Sequence, residues 1–190
     1  LKRFYQALKT HEHTNPAIKS DQNQRRTWME KNLFLYSEQE FAALIEGDAR
    51  VMGTLWDWQE QIPSFVDWQL QREQAGWKYF DGEVKVGFNL PFQDEQGNRK
   101  TIRIEGFADR FDVQAENSAI ASVIDYKNQR FERVKVRAEH LLDDPQLLIY
   151  ARAANESQES HKLAGHEVRQ AEWVALKADL SKGEQKALRS

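Results

Sequence analysis

The chain has no cysteine at all. That excludes a disulfide framework, a thiolate zinc site and an iron–sulfur cluster. It has no apolar run near the roughly 20 residues a membrane helix needs, so no membrane partner is expected. It also lacks a surplus of positive charge: 27 Lys and Arg stand against 30 Asp and Glu, a net of −3, which argues against nucleic-acid binding through a broadly basic surface. Contacts to a nucleic acid would have to be local or shared with other domains. What is present fits one globular domain with room for a core, in 190 residues that are 40% hydrophobic and 30% charged. The expected location is cytoplasmic. Any metal must be held by carboxylates, carbonyls or imidazoles, and an oxygen-rich set favours Mg²⁺ or Mn²⁺.

Residues 1–82 read as helical. Leu1, Phe4, Tyr5 and Leu8 share a helical face from the first residue onward. The chain is therefore expected to be a piece of a longer protein, entered partway through a helix. His11 to Gln24, with Pro16, reads as a loop, and Trp28, Leu33, Phe34 and Leu35 as a second helix. Ser37 with Glu40 forms a capping-box pattern for a third, running through Val51, Leu55 and Trp56 until Pro63 breaks or kinks it, with Gly76 as a stop. From residue 83 the texture changes. Val84, Val86, Phe88 and Leu90 alternate, Asp94 to Asn98 is a hairpin turn, and Ile102 to Val113 and Ala119 to Tyr126 are the next two strands. Asp143 or Asp144 caps a helix carrying Pro145 in its first turn, and Val168 to Ala178 is a last strand. The order is helices, three strands, helix, strand.

Three short patterns lie close together. Gly106-Phe107-Ala108-Asp109-Arg110 sits in the second strand, Ile124-Asp125-Tyr126-Lys127 ends the third, and Gln146-Leu147-Leu148-Ile149-Tyr150 lies on the next helix. Period-two geometry puts Asp125 and Lys127 on one face with Tyr126 turned away. A hairpin between strands two and three brings Asp109 near Asp125. Two carboxylates with a lysine beside them suit a divalent cation and a phosphate ester: the acids and a carbonyl such as that of Tyr126 hold the metal, and Lys127 orients a water or offsets developing charge. Gln146 and Tyr150, four apart, share a helix face. The Asp/Glu-x-Lys triplet alone means little, because about one is expected by chance in a chain this long. Three occur here, Glu83-Val84-Lys85, Asp125-Tyr126-Lys127 and Glu184-Gln185-Lys186. Only the middle one comes after a strand bearing Gly-x-x-Asp and before a helix bearing Gln-x-x-x-Tyr.

Taken together, Gly106 to Asp112, Val123 to Lys127 and Gln146 to Ala151 resemble the RecB-like branch of the PD-(D/E)xK nucleases. The resemblance implies an α/β fold with a restriction-endonuclease-like core, a mixed central sheet flanked by helices and a helical N-terminal segment. It implies a single nuclease domain over 1–190, with 1–82 helical and 83–190 catalytic. It implies a Mg²⁺- or Mn²⁺-dependent DNA nuclease, exo- or endonucleolytic, serving recombination and double-strand-break repair beside a helicase domain or subunit. Asp109, Asp125, Lys127, Gln146 and Tyr150 are then the catalytic set, and Asp109, Asp125 and Tyr126 the metal set. The family also carries a metal-binding His on a helix just before a Leu-x-x-Phe pattern. Leu1-Lys2-Arg3-Phe4 matches that pattern, so the His is expected upstream of Leu1, and a chain lacking it is expected to hold metal weakly. The alternative is a catalytically silent nuclease-fold domain that binds DNA or braces a helicase partner.

Other features take plainer readings. His11 and His13 lack a third ligand and read as solvent-facing, as does His140. Arg130, Arg133, Lys135 and Arg137 are mixed with Glu132 and Glu139 and read as a solvated connection. Glu83 reads as a strand-edge charge, and the six tryptophans as packing residues.

Overall fold

The computed structural model describes residues 1–139, 144–156, 163, 165–177 and 188–189. The first compact unit is built from three helices, α1 (Lys2–Thr14), α2 (Gln22–Gly47) and α3 (Val51–Gln74), with residues 128–131 and 175–177 joining it. Phe4, Tyr5 and Leu8 are buried, as the periodicity predicts, and meet Met29, Leu33, Ile62, Phe65 and Val66 in the core. Two polar clusters inside this core are paired. The Tyr5 hydroxyl donates to Gln69 Oε1 at 2.8 Å, and buried Arg25 bridges Glu12 and Glu73.

Several helix boundaries differ from the sequence pattern. The expected 11–24 loop is mostly helical: α1 runs to Thr14, a 3-10 turn spans Pro16–Lys19, and Asp21 caps α2 by accepting from the amides of Asn23 (3.1 Å) and Gln24 (3.0 Å). Ser37 starts no helix. Its hydroxyl donates to the Phe34 carbonyl within a continuous α2, so the capping-box residues sit mid-helix. The break falls at Asp48, whose backbone is extended and whose carboxylate accepts the Arg50 amide. Pro63 lies inside α3, which runs on to Gln74, because Ile62, Phe65 and Val66 beside it are all buried. Gly76, at φ +87°, ends the helical part as expected.

The second unit is a sheet. Strand β1 (Trp77–Gln93) starts six residues before position 83, and Trp77, buried like a strand residue, opens it. It pairs antiparallel with β2 (Arg99–Gln114) through the Asp94–Asn98 turn, where Asp94 accepts from the Gln96 and Asn98 amides and Gly97 takes φ +82°. Strand β2 pairs antiparallel with β3 (Ile120–Arg130). The connection after Lys127 is not a loop: β3 continues to Arg130 and α4 (Phe131–Glu139) comes next, anchored by buried Val134. Helix α5 (Gln146–Glu156) then leads to β4 (Glu167–Lys177) and the two-residue β5 (Leu188–Arg189). Asp144 is engaged by Arg137 rather than capping α5, and the Pro145 carbonyl accepts the first helical bond, from Ile149 at 2.9 Å. His140, Asp143, Ala178 and the triplet Glu184-Gln185-Lys186 lie outside the described residues.

The strand order is β1-β2-β3-β4-β5. The Glu167 amide bonds the Ala119 carbonyl at the start of β3, and Ser122 meets Glu172 further along both strands, so β3 and β4 run in the same direction and the sheet is mixed. Consecutive residues Ala121 to Asp125 are all buried, meaning both faces of β3 are covered. Helix α5 lies against β1, with the Arg152 guanidinium 4.6 Å from the Phe88 ring, and Asn155 exchanges two hydrogen bonds with the Val168 backbone. Of the tryptophans, Trp68, Trp77 and Trp173 are buried, but Trp56 is 61% exposed, contrary to a uniform packing role.

Candidate active site

The β2–β3 ladder runs from Val113↔Ala121 to Arg110↔Ile124. One step further the register sets Asp109 opposite Asp125, and residues directly opposite in an antiparallel pair share a face. There the ladder gives way to a side chain. The Tyr126 amide donates to Asp109 Oδ2 at 2.8 Å, so the first acid is tied to the peptide just after the second. Asp109 is half-buried and Asp125 only 3% exposed.

Lys127 lies on the same side. Its ammonium is 2.6 Å from Asp125 Oδ2, an ion pair without the alignment of a hydrogen bond, and it donates to Gln146 Oε1. Gln146 Nε2 in turn donates to the Tyr150 hydroxyl at 3.0 Å. The relay Asp125–Lys127–Gln146–Tyr150 thus joins the second half of β3 to the first turns of α5. Gly106 has a role in this. A Cβ built there would stand 3.2 Å from Tyr150 Cε1, so the glycine of Gly-x-x-Asp leaves room for that ring against β2.

Burial pushes the Asp125 carboxyl above the usual carboxylate range. Lys127 pulls it back, and the negative charges of Asp109 and Asp144 push it further up. A buried acid between like charges is one that an additional cation would favour.

Asp125, Lys127, Gln146 and Tyr150 are thus linked in a run of contacts, and Asp109, tied to the Tyr126 amide, lies at the register position opposite Asp125. Among the described residues no group of three His, Asp or Glu side chains is gathered. The donor set is two carboxylates, with Asp125 Oδ2 buried and lacking an aligned hydrogen bond. This fits Mg²⁺ or Mn²⁺, which keep several waters and take one or two carboxylates plus substrate phosphate.

Sequence reasoning missed the support behind the site. Arg110 and Asp112, 1% and 0% exposed, form a bidentate pair with contacts of 2.6 and 2.8 Å, and Arg110 also donates to the Tyr126 hydroxyl at 3.1 Å. The Arg110 guanidinium stands 5.5 Å from the Tyr79 ring, and burial raises the Tyr79 phenol well above its ordinary value. The signal was the Arg-x-Asp just after Asp109, two charges in a strand with little solvent to face. Glu83 takes φ +54° at the register position opposite Asp109, an irregularity in β1 beside the acid pair rather than a plain strand-edge charge. His11 stacks on Trp28 at 4.5 Å between ring centroids rather than facing solvent alone.

A mixed sheet flanked by helices, with two acids and a lysine where the β2–β3 ladder stops, is consistent with a PD-(D/E)XK nuclease core. The sequence model of the PD-(D/E)XK nuclease superfamily matches residues 1–189, and the chain belongs to that family. No curated protein matches the chain at a significant level.

Proposed function

We propose that this chain is a divalent-metal-dependent DNA nuclease of the RecB-like kind, working beside a helicase domain in recombination and double-strand-break repair. The observation that carries the reading is the convergence of Asp109, Asp125 and Lys127 on one side of the β2–β3 end. Asp109 and Asp125, with the Tyr126 carbonyl, would hold Mg²⁺ or Mn²⁺. When bound, such a cation polarises a phosphate oxygen and lowers the pKa of a water.

The chain's own residues supply the rest. Lys127 is held from two sides, by Asp125 and Gln146, so its ammonium is fixed in place before substrate arrives. From there it orients the attacking water or offsets charge gathering on the phosphoryl oxygens. The water gives up a proton as its oxygen bonds to phosphorus, the bond to the leaving sugar oxygen breaks, and that oxygen takes up a proton in turn. Gln146 and Tyr150 act through Lys127 by restricting where it points.

The test is cleavage of linear DNA with Mg²⁺ or Mn²⁺, comparing wild type with Lys127→Ala whose folding is checked by circular dichroism. Metal-dependent cleavage lost in the variant supports the enzyme. DNA binding without cleavage, even by a longer chain that supplies the expected upstream histidine, decides for the silent domain. Covalently closed circular DNA separates exo- from endonuclease action, and an RNA substrate tests the sugar preference. The helicase and repair assignments rest on the resemblance of the three motifs, and a longer chain carrying the upstream segment tests them.

A further inference from the structure

Tyr126 is held at both ends. On the acid side its amide donates to Asp109 Oδ2 at 2.8 Å. Period-two geometry turns its ring to the opposite face, where the hydroxyl accepts from Arg110 Nη1 at 3.1 Å. Arg110 is itself immobilised, at 1% exposure, by its bidentate pair with Asp112 and by the Tyr79 ring. A planar guanidinium can grip a carboxylate with two parallel N–H bonds and still offer a further N–H to a phenol, a rigid fork that an ammonium does not provide.

We infer that Arg110 is a positioning residue for the nuclease centre: through the Tyr126 hydroxyl it fixes the peptide between Asp125 and Tyr126, and so sets where Asp109 and the Tyr126 carbonyl stand relative to Asp125. The inference rests on the metal-site reading above for its functional meaning, but its geometry does not. The β2–β3 ladder stops at Arg110↔Ile124, so beyond that point backbone pairing no longer holds β3 against β2. The Arg110–Tyr126 contact behind the sheet and the Asp109–Tyr126 contact in front take over that task. Residues of this kind, which orient groups that touch a metal, typically change metal affinity about 10- to 100-fold when removed.

Replacing Arg110 would break its buried ion pair with Asp112 and confound stability with function. Tyr126→Phe leaves that pair intact and removes the hydroxyl that accepts from Arg110, so it is the informative variant. Two readouts apply, neither requiring turnover. Amide hydrogen exchange followed by NMR should show the Tyr126 position exchanging about tenfold faster in the variant, the factor an ordinary buried hydrogen bond carries, with the Val123 amide unchanged. Mn²⁺ titration followed by electron paramagnetic resonance should show half-saturation shifted about tenfold upward, toward the behaviour of Asp109→Ala. Wild-type exchange and wild-type Mn²⁺ uptake in Tyr126→Phe would overturn the inference. A wild-type chain that takes up no Mn²⁺ would overturn the metal reading instead, and the exchange rate at position 126 would then decide this inference alone.

Discussion

Lys127→Met removes the ammonium while keeping a long, flexible stem, and the structure indicates what the loss should cost. Asp125 is 3% exposed, and its partner's side chain is 15% exposed. Breaking a buried ion pair by removing one member costs about 3–5 kcal/mol. Here the figure should be smaller, about 2–3 kcal/mol at pH 7, because Lys127 retains some solvent and Asp125 can take up a proton. The pH dependence separates charge from packing. Asp125 is already raised above its ordinary value of 3.8 by burial, and losing Lys127 raises it further. An acid with a raised folded-state pKa contributes most below its unfolded value, and that contribution is lost as pH rises through the folded value. In the variant this window of loss extends toward neutrality. Urea unfolding followed by tryptophan fluorescence should therefore show a stability gap that is large at pH 7 and narrows as pH falls toward about 4. A gap of constant size would mean that Lys127 matters only as packing. No gap at all would refute the ion pair as a buried one. Asp125→Asn combined with Lys127→Met should recover much of the loss, since no buried charge is left unpaired.

Asp109→Asn should fold, because an amide oxygen can still accept from the Tyr126 amide, but should lower DNA cleavage by about 10²- to 10³-fold in a gel assay. Gly106→Ala puts a methyl group 3.2 Å from a Tyr150 ring already tied to Gln146, so we expect a loss of about 1–2 kcal/mol in thermal unfolding and several-fold slower cleavage. Gln146→Ala should reduce kcat more than it raises KM, as Lys127 loses one of its two restraints. Chelation by EDTA should abolish cleavage, and added Mg²⁺ or Mn²⁺ should restore it in the same tube.

The site is more legible in the sequence than its supports are. Asp125 and Lys127 can be placed on one face because strand alternation is strict, and Asp109 can be set opposite because the polar stretch 114–118 is too short for anything but a hairpin turn. Arg110 and Asp112 cannot be read as a buried pair in the same way, since alternation says which residues share a face but not that both faces of the sheet are covered. The reason for Gly106 is hidden too, because it depends on Tyr150, more than forty positions away. Helix α4 has the look of a connection because it mixes three cations with two acids and only Val134 is buried. In α2 the Ser37–Glu40 pattern misleads for a local reason: the serine hydroxyl bonds a carbonyl of its own helix, which tertiary packing of Met29 and Leu33 keeps intact.

The most direct test of the metal site is the anomalous diffraction of crystals grown with Mn²⁺. It should place one manganese within about 2.2 Å of a carboxylate oxygen from each of Asp109 and Asp125, with the Lys127 ammonium on the same side of the sheet. Manganese bound elsewhere on the chain, with those two carboxylates left to protein partners alone, would contradict it.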